Sequence, residues 1–123
     1  MDIISLNPDL GLFLLRLAIG AVYLAHGPSK FTDTARKSQG MGIPTNLLLV
    51  VAALETFGAV AMILGSFTQL ASLGIIAVML GAIYMKTQKW GKKFTGDGGW
   101  ELDFILIAAA LAILFIGPGS YTL

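Results

Sequence analysis

VAALETFGAVAMILG, residues Val51–Gly65, is a run of apolar and small side chains broken by one carboxylate, Glu55. A charge in the middle of a membrane-length apolar helix is costly, so it marks a buried partner or a functional site. What surrounds Glu55 therefore decides both how the chain folds and what it can do.

The composition agrees with a bilayer as solvent. Of 123 residues, 56% are hydrophobic and only 12% are charged, against roughly 25% charged in an ordinary soluble domain. The mean hydropathy is +0.82. Too little polar chain is present to cover the surface of a water-soluble fold. The net charge of +1 gives no general attraction to nucleic acid, and none is expected as a partner. The absence of Cys excludes disulfides, iron–sulfur clusters and thiolate metal sites, and a single His, His26, excludes a haem held by two protein imidazoles. No metal site is expected. MDIISLNPD at the N-terminus lacks the basic region of a signal peptide, so the first apolar run reads as a retained helix.

Working outward from Glu55, the apolar runs fall at about residues 10–27, 45–65, 69–85 and 100–116. Each approaches the length needed to cross a hydrocarbon core of about 30 Å at 1.5 Å per residue. The short link after Gly65 forces an antiparallel pair. The expectation is one all-α domain over residues 1–123, a transmembrane four-helix bundle. Asp9 is the expected N-cap of the first helix, and a short interfacial helix is expected near Thr32–Lys37.

Cations set the orientation. Lys30, Arg36 and Lys37 lie in loop 28–44, and Lys86, Lys89, Lys92 and Lys93 in loop 86–99, while the remaining connections and tails carry neither Lys nor Arg. The positive-inside rule makes both basic loops cytoplasmic and both termini external. Trp90, Trp100 and Tyr84 read as an interfacial aromatic belt.

Depth arithmetic sorts the buried polar groups. Counted from the outer surface, Arg16 lies roughly 9 Å and Glu55 roughly 13 Å deep. A buried Arg16–Glu55 pair in the outer half of the bundle is therefore expected, as a ligand site or as a lock on helix register. Arg16, Gly20, Tyr23 and Gly27 share one face of the first helix, and Glu55, Gly58, Ala59 and Met62 one face of the second. Near the inner surface, His26 and Lys30 end the first helix while Glu101 and Asp103 begin the last. Glu101 and Asp103 are about 200° apart on a helix, so at most one points inward, and either is a candidate partner for His26. Gly96-Asp97-Gly98-Gly99 lacks the context of a phosphate-binding loop and reads as a turn.

The spacing Arg16-x3-Gly20, then His26-Gly27-x2-Lys30, resembles the first-helix signature of the DoxX family of small four-helix membrane proteins. Glu55-x2-Gly58 before Leu64-Gly65, Gly98-Gly99-Trp100-Glu101-Leu102, and Gly117-Pro118-Gly119 are similar to that family's later motifs. The tail departs from it: Ser120-Tyr121-Thr122-Leu123 stands where relatives often carry Ser-Leu-Asp. The resemblance implies a four-helix bundle with Arg16, His26, Lys30, Glu55 and Glu101 at motif positions. It also implies a link to membrane redox chemistry, since some relatives are membrane subunits of a thiosulfate:quinone oxidoreductase.

Three functions follow as expectations. The first is a quinone- or lipid-interacting subunit of a membrane redox complex. Arg16, Tyr23 or His26 would donate to a quinone carbonyl and Glu55 would carry protons. The chain has no redox centre of its own, so a soluble or membrane partner protein would supply the electrons. The second is a non-enzymatic assembly protein in which the buried polar pair is structural. The third is a small transporter or proton pathway, which four helices could form only as a homo-oligomer.

Overall fold

The computed structural model describes residues 6–123. Residues 1–5, part of the N-terminal tail expected to face outside, lie outside the described residues. The described chain is helical, with no strand: α1 is Pro8–His26, α2 Thr34–Met41, α3 Thr45–Leu64, α4 Thr68–Tyr84 and α5 Glu101–Ile116. A 3-10 turn, Pro28–Phe31, follows α1, and a π turn, Met85–Lys89, follows α4.

Local chemistry explains the helix ends. The N-cap of α1 is Asn7, not Asp9: its side chain accepts from Leu10 N at 3.1 Å, and Pro8 occupies the first helical position, where its missing N–H costs nothing. Gly65 closes α3 in the left-handed conformation, φ +79°, which glycine adopts without strain. The loop between α1 and α3 is more ordered than a simple connection, because α2 packs on α3 and buries Ser38, whose hydroxyl lies 3.0 Å from Thr45 Oγ1.

Three helical stretches are long and apolar enough to cross a membrane: Pro8–Phe31 (24 residues), Thr45–Leu64 (20) and Thr68–Lys89 (22). α5 has 16 residues, about 24 Å of helix. Leu14, Phe57, Leu70, Leu80, Ile105 and Phe115 point outward from the long helices, more than half exposed. Large apolar groups on the outer surface of every long helix suit a protein solvated by lipid, and the protein is an integral membrane protein.

The core joins Ile19 and Tyr23 of α1, Ala59 and Met62 of α3, Ile75 and Met79 of α4, and Leu106, Ala110 and Ile113 of α5. α1 packs chiefly on α3, and α4 on α5, with α3 and α4 joining the two hairpins. Glycines fix how α1 lies on α3. A Cβ at Gly20 would collide with the Ile63 side chain, and one at Gly27 would sit 2.9 Å from the Thr56 backbone nitrogen. The end of α1 is thereby held beside the middle of α3, at the level of Glu55.

Candidate functional site

This register separates the two charges that depth arithmetic had joined. Arg16 and Glu55 do not pair. Arg16 lies level with Met62 and Ile63, seven residues beyond Glu55 along α3, or about 10 Å of helix. The expectation failed because it assumed that α1 crosses to the inner surface before its chain turns. Close packing at Gly20 and Gly27 instead brings the end of α1 to the middle of α3, and the 3-10 turn carries Lys30 to Glu55.

Arg16 is fully buried. Its Nη1 donates to the carbonyls of Met62 at 2.9 Å and Ile63 at 3.5 Å, and its Nη2 donates to the Tyr121 carbonyl. The first two belong to the last turn of α3, where carbonyls lack helical partners and the helix end carries negative partial charge. A guanidinium with several donors in one plane can gather such carbonyls at once. The Phe13 ring lies 5.4 Å from the guanidinium carbon and packs on the Tyr121 ring at 5.7 Å. The tail closes over this end: Ser120 N donates to Asp9 Oδ1 at 3.1 Å, Leu123 N to the Leu64 carbonyl at 2.9 Å, and Ser66 Oγ to the Leu123 carbonyl at 3.0 Å. Asp9 thus binds the tail rather than its own helix end.

Glu55, 4% exposed, faces Lys30 instead. Lys30 Nζ lies 2.6 Å from Glu55 Oε1, off the axis of a well-aligned hydrogen bond, and 3.3 Å from the His26 carbonyl. The lysine side chain keeps 20% exposure, so this ion pair runs from the loop face into the bundle. On the packed helices α1 and α3, the hydroxyls of Tyr23 and Thr56 are buried and have no hydrogen-bond partner. Unpaired buried hydroxyls are costly.

A second pair has the same design. Lys86, in the π turn after α4, places Nζ 2.7 Å from Asp103 Oδ2 and 3.2 Å from the Gly99 carbonyl. Asp103 is 6% exposed. Of the two carboxylates that open α5, Asp103 points inward and Glu101 outward. His26 is also exposed. It meets neither carboxylate, and among the described residues neither His26 nor Glu101 has an ion-pair partner. The 3-10 turn carries the chain away immediately after His26, so the backbone carbonyl of that residue, not its imidazole, serves the cluster.

Sequence reasoning counted Lys86 as one more loop cation. The available signal was positional: like Lys30, it stands just past the end of an apolar helix and one connection before an acidic residue on the next. Thr56, hidden within the apolar run, gave no signal beyond its place beside Glu55. The described residues contain no cluster of His, Asp and Glu able to hold a metal.

Comparison with known proteins places these features in a family. A family model described as DoxX matches residues 11–88. The Bacillus subtilis (strain 168) protein named "Putative oxidoreductase CatD" is 29% identical over 112 residues, covering 89% of this chain and 81% of that protein. An uncharacterised Haemophilus influenzae protein is 29% identical over 119 residues, covering 91% of this chain and 87% of its own length. No solved structure matches the chain.

Proposed function

This chain belongs to the DoxX family, and from that premise we propose that it is the quinone-binding membrane subunit of a redox complex. The head group would be held at Tyr23, Glu55 and Lys30. The observation that carries this reading is the buried, unpartnered Tyr23 hydroxyl of α1, the helix that packs on α3 and precedes the Lys30–Glu55 pair. A quinone is a flat apolar ring with two carbonyl acceptors. It asks for an apolar wall, a donor hydroxyl and a group able to pass protons. Tyr23 supplies the donor, Glu55 the proton carrier, and Ile19, Met79 and Leu106 belong to the surrounding apolar core. The oxidoreductase in the name of the Bacillus relative agrees with redox work. With no Cys and one His in the chain, the electrons come from a partner protein.

In this reading α5 is the fourth span of a transmembrane four-helix bundle, the loops carrying Lys30 and Lys86 face the cytoplasm, and the tail lies outside. Arg16 takes the structural role. Its partners are backbone carbonyls at one helix end and in the tail, which favours a clasp over a ligand site.

The test is native mass spectrometry of the detergent-purified protein incubated with decylubiquinone. One quinone is expected per chain, and Tyr23→Phe or Glu55→Gln should each weaken binding about tenfold, the worth of one hydrogen bond. A folded wild type that retains no quinone rejects the proposal and leaves the cluster a structural lock.

A further inference from the structure

The first turn of α4 opens onto a cleft at the end of the bundle opposite the basic loops. The cleft measures about 420 Å³, and Gly65, Thr68, Gln69 and Pro118 stand on its walls. Phe67, the residue before α4, gives the helix no side-chain cap. Its carbonyl accepts the Ala71 N–H at 2.9 Å, which leaves the N–H groups of Thr68, Gln69 and Leu70 without helical partners. Together with the aligned peptide dipoles they make the helix start positive.

Two buried groups distinguish this helix start from an ordinary one. Thr68 is 5% exposed and borders the cleft. The side-chain hydrogen bonds formed at this end use Asn7, Asp9, Arg16 and Ser66, and the Thr68 hydroxyl takes part in none of them. Behind the cleft wall stands Arg16, since a side chain at position 65 would collide with its Nη1. Arg16 is fully buried, its Nε has no partner, and among the described residues it forms no ion pair. Its carbonyl partners leave its positive charge in place. Asp9, the described carboxylate at this end, is taken by Ser120 N.

The cleft continues into an apolar groove, because Phe67 and Leu70 border both. The groove, about 610 Å³, runs between α3 and α4 past Phe57 and over the small residues Gly58, Ala61 and Gly74. Phe57 and Leu70 are more than two thirds exposed, at 73% and 71%, so the groove faces the hydrocarbon. α3 has 20 residues, about 30 Å of helix, so its end and the start of α4 lie at the level of the lipid headgroups.

We propose that cleft and groove together bind one phospholipid. Its phosphodiester sits at the free amides of residues 68–70 and the Thr68 hydroxyl, and one acyl chain lies along the groove. The charge is complementary to a phosphate, and it stands where an apolar channel leaves the hydrocarbon, which is how phosphate and chain are joined in a lipid. A free oxyanion would use the cleft and have no need of the groove. Arg16 remains the clasp of the tail and acts on the phosphate through its charge. The site stands apart from the quinone reading and does not rest on it.

The test is native mass spectrometry of the detergent-purified protein with dioleoylphosphatidylglycerol. One lipid is expected per chain, and dioleoylglycerol, with the same chains and no phosphate, should bind about tenfold more weakly. Gln69→Glu puts a like charge in the cleft. It should lower phosphatidylglycerol affinity about tenfold while the unfolding midpoint stays equal or rises, because a carboxylate suits a helix start. Gly74→Leu, which fills the groove, should weaken both lipids. Equal retention of the two lipids by the wild type overturns the proposal, and so does a Gln69→Glu variant that binds phosphatidylglycerol as the wild type does. Loss of the bound lipid to excess inorganic phosphate at constant ionic strength assigns the cleft to a free oxyanion and overturns the lipid. The comparison of the two lipids uses the wild type alone, so it decides the matter even where a variant fails to fold.

Discussion

Lys30 Nζ lies 2.6 Å from Glu55 Oε1, although Lys30 belongs to the turn after α1 and Glu55 to the middle of α3. The contact exists because α1 stops beside the middle of α3 and its chain folds back, so a loop cation serves a bundle carboxylate. Breaking such a pair on one side leaves a buried charge unpaired. Lys30→Met is therefore expected to destabilise the protein by about 3 kcal/mol, and Lys30→Met/Glu55→Leu to recover much of that loss. Unfolding midpoints in detergent check this. A double variant no more stable than Lys30→Met would mean that the pair is not the dominant interaction of either residue.

Arg16 and Glu55 are predicted to be energetically independent. They have no common partner, and about 10 Å of helix separates the levels they occupy. The effects of Arg16→Met and Glu55→Gln should add within about 0.5 kcal/mol in a double-mutant cycle. A coupling above about 1 kcal/mol would restore the direct pairing that depth arithmetic suggested.

Removing the Arg16 clasp should free the tail. Arg16→Met deletes charge-assisted hydrogen bonds to the carbonyls of Met62 and Tyr121, each worth about 1.5–3 kcal/mol. Limited proteolysis is expected to cleave after Tyr121 many times faster in the variant, with the rest of the bundle still protected. Equal cleavage rates would show that Asp9, Leu64 and Ser66 hold the tail without it.

Tyr23→Phe should separate stability from function. The hydroxyl is buried with no partner, so deleting it removes an unmet desolvation cost and should leave stability equal or raise it by about 1 kcal/mol. Ligand affinity should fall in the same variant. Loss of stability together with loss of binding would indicate that the hydroxyl has a structural partner.

Glycine substitutions should follow packing, not helix position. Gly27→Ala meets the Thr56 backbone, and overpacking of this kind costs about 1–3 kcal/mol. Gly81→Ala, inside α4 with nothing within 4 Å, should stabilise by about 0.5–1 kcal/mol. Thermal unfolding of both variants reads the contrast, and equal effects would remove the glycine contacts as the cause of the α1–α3 register.

The legible part of this protein was written in composition and periodicity. A chain 56% hydrophobic with 12% charge has to be solvated by lipid, and only helices satisfy their own backbone while leaving large apolar side chains outward. The spacing of Arg16, Gly20, Tyr23 and Gly27, and of Glu55, Gly58, Ala59 and Met62, marked faces that are buried in the fold, because period 3.6 is a local property. The Arg, Gly, Glu and Gly-Pro-Gly spacings were enough to identify the family. That one of Glu101 and Asp103 points inward also followed from helical angle alone.

Partnership was not local. Whether Glu55 meets Arg16 or Lys30 depends on where α1 stops along α3, and that is set by contacts of Gly20 with Ile63 and Gly27 with Thr56, none of them neighbours in sequence. Whether Lys86 is a surface anchor or a buried partner depends on how α5 lies against the end of α4. Sequence determined the solvent, the secondary structure and the family, because these follow from side-chain chemistry repeated along one chain. Only the tertiary structure decided which charge neutralises which, because an ion pair inside a bundle is chosen by the register between helices, and steric contact between distant residues sets that register.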